Sequence, residues 1–145
     1  MERVIEHRVE HNRVWAKTER LAREDRKLGG RIAIEWPKTC MYWGYPRVKR
    51  LISELGIIKA ECHGCAFGLH DSQGVPIKKP WYVYTDSPDM AAELNKYKCP
   101  GCPKHSPCEG KTTTHFGKYV INMGKAIHRA WAKCERACGY AAAAS

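Results

Sequence analysis

Between Cys99 and Cys108 the chain reads CPGCPKHSPC, four metal-ligand side chains in ten residues with Pro100, Pro103 and Pro107 set between them. Such a stretch forms neither helix nor sheet interior, because proline lacks the amide proton that both ladders need. It also has no apolar periodicity with which to join a core. A loop of this kind needs an external tie, and cysteine and histidine are the ligands that a structural zinc gathers four at a time into a tetrahedron.

Spacing leaves two ligand sets open. Cys62-x-x-Cys65 and Cys99-x-x-Cys102 each suit a knuckle that turns two thiolates onto one metal, with 33 residues between the pairs for strands to bring together. The local alternative is Cys99, Cys102, His105 and Cys108, which recur every three residues, with His63, His70 and His115 as substitutes. The pool of candidate ligands is therefore Cys62, Cys65, Cys99, Cys102, His105 and Cys108. Cys40, Cys134 and Cys138 read as buried core thiols. A redox or nucleophilic role for the CxxC pairs is the competing chemistry, since Lys59, Lys98 and Lys104 would favour thiolates.

The 145 residues predict one domain, and 43% hydrophobic residues with five Trp and seven Tyr are enough for it to be globular. Twenty-five Lys and Arg against 15 Asp and Glu give +10, spread along the chain, which favours a polyanionic partner, with nucleic acid the first expectation. No apolar run approaches the roughly 20 residues needed to cross a bilayer, and residues 1–28 are too charged for a secretory signal. An intracellular, cytoplasmic or nuclear location is expected, where cysteines serve as ligands or thiols before disulfides. The sequence holds no glycine-rich phosphate loop, HExxH helix or GxSxG elbow, so ordinary hydrolase and nucleotidase readings lack a site.

The predicted organisation is a single α/β zinc-binding domain over 1–140 with a frayed tail at 141–145. Residues 1–28 form an amphipathic helix carrying Val14, Leu21 and Leu28 at intervals of seven, with Trp15 and Ala22 beside them, stopped by Gly29 and Gly30. An α/β unit spans 31–95: a short buried strand at 31–35 ended by Trp36-Pro37, a helix at 46–55 closed by Gly56, strands at 57–61 and 81–85, and a helix begun by Ser87-Pro88-Asp89. The connection at 62–80 reads as loop or hairpin, and 96–117 as a Cys/His-rich loop. A terminal helix at 118–138 places Ile127, Trp131, Cys134 and Cys138 on one face. The fold class is a small two-layer or three-layer-like α/β sheet between a long N-terminal and a C-terminal helix.

Three segments in order, IAIEWP within 31–37, CAFGL at 65–69 and VPIKKPWYVYT at 75–85, resemble the later, post-nucleophile part of cytosine-5 DNA methyltransferase-like domains of the kind found in retroelement polyproteins and viral sequences. The resemblance covers about 55 residues and implies that Glu35 stands where that family's acidic strand-end residue contacts the target base. It also implies a glycine-containing hairpin with basic residues, here Phe67-Gly68 followed by Lys78 and Lys79. Nothing before residue 31 matches that family's cofactor loop or nucleophile segment, so S-adenosylmethionine would be held only with a partner chain. No catalytic residue is assigned, and the isolated chain is not expected to be a complete enzyme.

These features predict a zinc-stabilised nucleic-acid-binding domain in which Arg47, Lys49, Arg50, Lys78 and Lys79 meet phosphates and Trp81 or Trp43 stacks on a base. Two alternatives stay open: a methyltransferase fragment completed by a second polypeptide, and a protein-interaction adaptor using the first helix.

Overall fold

The structure is a computed structural model that describes residues 2–108 and 121–137. The expectations for His115, Cys138, the second part of the Cys/His-rich loop and the tail at 141–145 lie outside the described residues. Helix α1 spans Glu2–Lys27, strand β1 Ala33–Pro37, helix α2 Pro46–Leu55, strand β2 Ile58–His63, strand β3 Pro80–Thr85, helix α3 Pro88–Asn95 and helix α4 Ile121–Ala137.

The three strands form one sheet in the order β1-β3-β2, with β3 antiparallel to both neighbours. Strands β1 and β2, joined through α2, therefore run parallel without touching, and β3 fills the gap between them. Pro37 can sit in β1 because β1 is an edge strand, where one side of the ladder is free. The expectation of a buried strand at 31–35 is corrected accordingly: β1 lies two residues later and is half-exposed.

Side chains alternate across the sheet, so its faces build separate cores. On one face Ala60, Cys62, Trp81 and Val83 pack with Phe67, Ile77, Met90, Leu94 and Met123 beneath α3 and α4. On the other, Trp15 of α1 and Val48 and Leu51 of α2 gather Ile34, Trp36, Trp43 and Tyr45. The result is a mixed α/β architecture with two helices against each face, the three-layer arrangement.

Local chemistry explains the helix limits. Pro46 occupies the first turn of α2, where its missing amide costs nothing, and Gly56 closes the helix at φ 61°, a conformation that costs a Cβ-bearing residue energy. Ser87 caps α3 by accepting from the Met90 amide at 3.2 Å. Arg26, in the last turn of α1, donates to Asp86 Oδ2 at 2.9 Å, while Asp86 Oδ1 accepts from the Ile32 amide at 2.9 Å. One carboxylate thus fixes α1 to the start of β1 at the end of β3.

Two helical faces differ from expectation. Among the described side chains of α1, Trp15, Glu19 and Ala22 are buried, whereas Val14, Leu21 and, just past the helix, Leu28 are 52%, 65% and 81% exposed. The interval of seven marks a real stripe, but the sheet is contacted by the stripe one residue further on. In α4 Met123, Ala126, Ala130 and Cys134 are buried and Trp131 is 38% exposed, because alanines let α4 approach α3 closely where a Trp would hold it away. Arg129 crosses between them to Glu93 at 3.3 Å and to the Tyr97 hydroxyl at 2.6 Å.

This packing predicts that Phe67→Ala, which empties a fully buried site, lowers stability by about 3–5 kcal/mol in a urea melt. Leu28→Ala should change it by less than about 0.5 kcal/mol.

Candidate metal centre

Strand β2 ends at His63 and passes at once into a 3-10 turn, Gly64–Phe67, that carries Cys65. The turn is tight: the Gly64 amide donates to the Lys78 carbonyl at 2.6 Å, and a Cβ on Gly64 would lie 2.7 Å from Leu69 Cδ2. On leaving α3 the chain returns to this corner. The His63 amide donates to the Tyr97 carbonyl at 2.8 Å, Lys98 Nζ to the Glu61 carbonyl at 2.6 Å, and the Cys99 amide to His63 Nδ1 at 2.9 Å.

The last contact assigns His63 its role. An amide can only donate, so Nδ1 accepts and the ring proton is on Nε2, facing Glu61 Oε1 at 3.1 Å. His63 is therefore a strut that places Cys99, and not the substitute ligand the sequence offers. Glu61 also accepts from Lys38 Nζ at 2.9 Å, and these two hydrogen bonds, Lys38 first, hold its carboxyl down at about 2.

Four ligand-type side chains converge there: Cys65, Cys99, Cys102 and His105, whose ligand atoms all lie within 4.8 Å of one another. Cys99 Sγ and His105 Nε2 are 3.4 Å apart. A cation bound to sulfur at about 2.3 Å and nitrogen at about 2.0 Å fits this volume after a small inward movement. The group can hold a metal ion such as zinc.

Electrostatics favour the same use. The Cys99 thiol is brought down to about 6 by hydrogen bonds from the Cys102 and Gly101 amides, the geometry of a CPGC turn whose Gly101 stands at φ 95°. Cys65 is pushed up to about 12, by burial first and then by its neighbours Cys99 and Cys102. One sulfur is prepared as a thiolate while the next is opposed by it, a conflict that a bound cation removes.

The cluster holds Cys99 and Cys102, which the two sets share, with Cys65 from the long-range set and His105 from the local one. Cys62 is not among them: it is fully buried in the sheet core beside Trp81, and burial drives its thiol up to about 12. The Cys62-x-x-Cys65 knuckle does not form because Cys62 is still in strand, where its side chain belongs to the core face. Cys108 instead packs partly buried against that core. His70 lies apart, its Nδ1 2.9 Å from the Asp71 carbonyl oxygen. Cys134 is buried as expected and Cys40 only half-buried, and all cysteines among the described residues are free thiols.

The residues expected to meet nucleic acid are scattered. Trp81 is 4% exposed and cannot stack on a base; it lies on the core face of β3, with Lys79 Nζ 5.2 Å from its ring. Arg47 is taken by Glu19, with both hydrogen bonds at 2.8 Å. Lys49, Arg50 and Lys78 are exposed, the first two on α2 and the third in the loop before β3. Trp43 is half-buried among Trp36, Tyr82 and Tyr84 and donates to the Pro37 carbonyl at 3.0 Å. Glu35, half-buried on β1, shares the core face with Val83 and Cys62.

No protein-family model matches the chain, and no curated protein and no solved structure is significantly similar to it.

Elemental mass spectrometry of the purified untagged protein should find one metal per chain, lost in Cys65→Ser and Cys102→Ser. Cys62→Ser and Cys108→Ser should keep it. Cys62→Ser should nevertheless cost about 1–3 kcal/mol for placing a hydroxyl in an apolar core.

Proposed function

We propose that this chain is a zinc-stabilised nucleic-acid-binding domain. The observation that carries the zinc is the convergence of Cys65, Cys99, Cys102 and His105 within 4.8 Å. Three sulfurs and an imidazole make a borderline-soft set that suits zinc better than magnesium or calcium, which prefer oxygen. With four protein ligands the tetrahedron is closed, leaving no position for water or substrate, so the ion would be structural.

Its task would be to fasten the loop after α3 to the end of β2. That loop has no helix or strand over 96–108, and besides the ligands it is held by the His63 contacts and by the Ser106 amide donating to the Pro76 carbonyl at 2.8 Å. The nucleic-acid part of the reading rests on the net charge of +10 and on exposed cations such as Lys49, Arg50 and Lys78.

A second reading, a protein-interaction adaptor, is favoured by the exposed Val14, Leu21 and Leu28 stripe on α1. No helix of the described residues is long and apolar enough to cross a membrane.

Two measurements test the preferred reading. Chelation of the metal should lower the melting temperature by more than about 10 °C, as expected when metal-binding energy is folding energy. Fluorescence anisotropy with labelled oligonucleotides should show binding at low salt that weakens linearly in log affinity against log salt. A metal-free preparation that melts identically with and without chelator refutes the zinc, and absence of low-salt binding refutes the nucleic-acid role.

A further inference from the structure

Among the described residues, the α1–α2 core on its sheet face packs against Ile34 and Trp36 of β1. Towards β2 the same face presents Tyr82 and Tyr84 of the central strand, both half-buried, paired in register with Glu61 and Lys59. Trp43 closes one side, its ring centroid 4.9 Å from Tyr84 and 6.3 Å from Tyr82. Lys59 Nζ stands 4.7 Å from the Tyr82 centroid and Lys38 Nζ 5.4 Å from it.

We infer that this aromatic and cationic face, Tyr82, Tyr84 and Trp43 with Lys59 and Lys38, is a binding platform for single-stranded nucleic acid. The inference rests on the nucleic-acid reading above and gives it a place and a substrate class.

Three features carry it. First, two aromatic side chains at alternate positions of one strand are about 6.8 Å apart. That is twice the roughly 3.4 Å separating nucleotides along one strand of a duplex. Successive bases can lie on both rings only if they are unstacked from each other, which selects a single strand.

Second, the charge complements a phosphate backbone. Glu61, the acidic group on this face, is already hydrogen-bonded by Lys38 and His63. Lys59 is exposed and, among the described residues, makes no ion pair or hydrogen bond; its contact is the Tyr82 ring. A phosphate can take that ammonium without breaking a salt bridge, and its departure uncovers for a base the side of the Tyr82 ring that Lys38 does not approach.

Third, the platform is rigid. Tyr82 and Tyr84 belong to the central strand, paired on both sides, and Trp43 is fixed by its hydrogen bond to Pro37. Little conformational entropy is lost when a base settles on them.

The test is fluorescence anisotropy of metal-loaded protein at low salt with labelled oligothymidylate, oligouridylate and a mixed-sequence duplex. Proteins compared are the wild type, Tyr82→Leu, Tyr84→Leu, Lys59→Glu and, as a charge control on another surface, Lys49→Glu. Leucine preserves apolar volume and removes the aromatic plane, and Lys59→Glu alters an exposed side chain whose melting temperature checks the fold. The expected result is tighter binding of a single strand than of duplex, weakened about 5- to 150-fold by each tyrosine substitution. Lys59→Glu should weaken it more than Lys49→Glu. Oligothymidylate and oligouridylate differ in sugar and in the base C5 methyl, and tighter binding of either than of duplex supports the platform. Single-strand affinity unchanged by the tyrosine substitutions, or duplex bound more tightly by the wild type, overturns the platform while leaving nucleic-acid binding intact. No binding of any oligonucleotide overturns both.

Discussion

Three sulfurs and an imidazole nitrogen lie within 4.8 Å of one another at the end of β2, and they cannot all take their metal-binding form without a positive charge between them. The amides of Cys102 and Gly101 stabilise one thiolate on Cys99, and burial, followed by the neighbouring Cys99, opposes ionisation of Cys65. Much of the surrounding backbone is committed to maintaining this crowding. His63 holds Cys99 in place, Lys98 reaches the Glu61 carbonyl, and Gly64 lets the turn bearing Cys65 press against Leu69 and Ile77. A segment without helix or strand is thereby joined to the sheet.

The same corner lies close to both faces of the sheet. Residues 62 and 63 point to opposite sides, so Cys62 enters the core under α3 and α4 while His63 turns to Glu61 and the Cys99 amide. A second fixed point lies at the far end of β3, where Asp86 joins Arg26 and the Ile32 amide. Between these points the sheet carries helices on each face, and on the α1–α2 face, among the described residues, Tyr82 and Tyr84 are half-buried and Lys59 is exposed.

Much of the fold can be read from local chemistry. Pro46 and Gly56 delimit α2, Ser87 starts α3, and Gly29 follows α1, each for reasons of backbone geometry that act within a few residues. What depends on tertiary placement is less legible. Intervals of seven made Val14, Leu21 and Leu28 conspicuous, yet Trp15 is the residue that meets Trp36 and the sheet. The metal-ligand pool contained Cys65, Cys99, Cys102 and His105, but spacing alone could not show that Cys62 would still be in strand and so face away from Cys65. Trp81 looked suitable for stacking until strand parity placed it inside; Tyr82 and Tyr84 carry the opposite parity, and alternation along WYVYT was the available signal. Which parity faces outward depends on α3 and α4, which lie later in the chain.

The position of β3 also has a consequence for synthesis. Neither β1 nor β2 has a strand partner until residues 80–85 exist, because each pairs with β3 and not with the other. During translation the first 79 residues can form α1 and α2, with their aromatic contacts, but no sheet. Once β3 emerges it must insert between two strands already made, and the Cys99–His105 segment follows soon after. The order of appearance on the ribosome thus puts sheet formation and assembly of the Cys65, Cys99, Cys102 and His105 cluster close together in time.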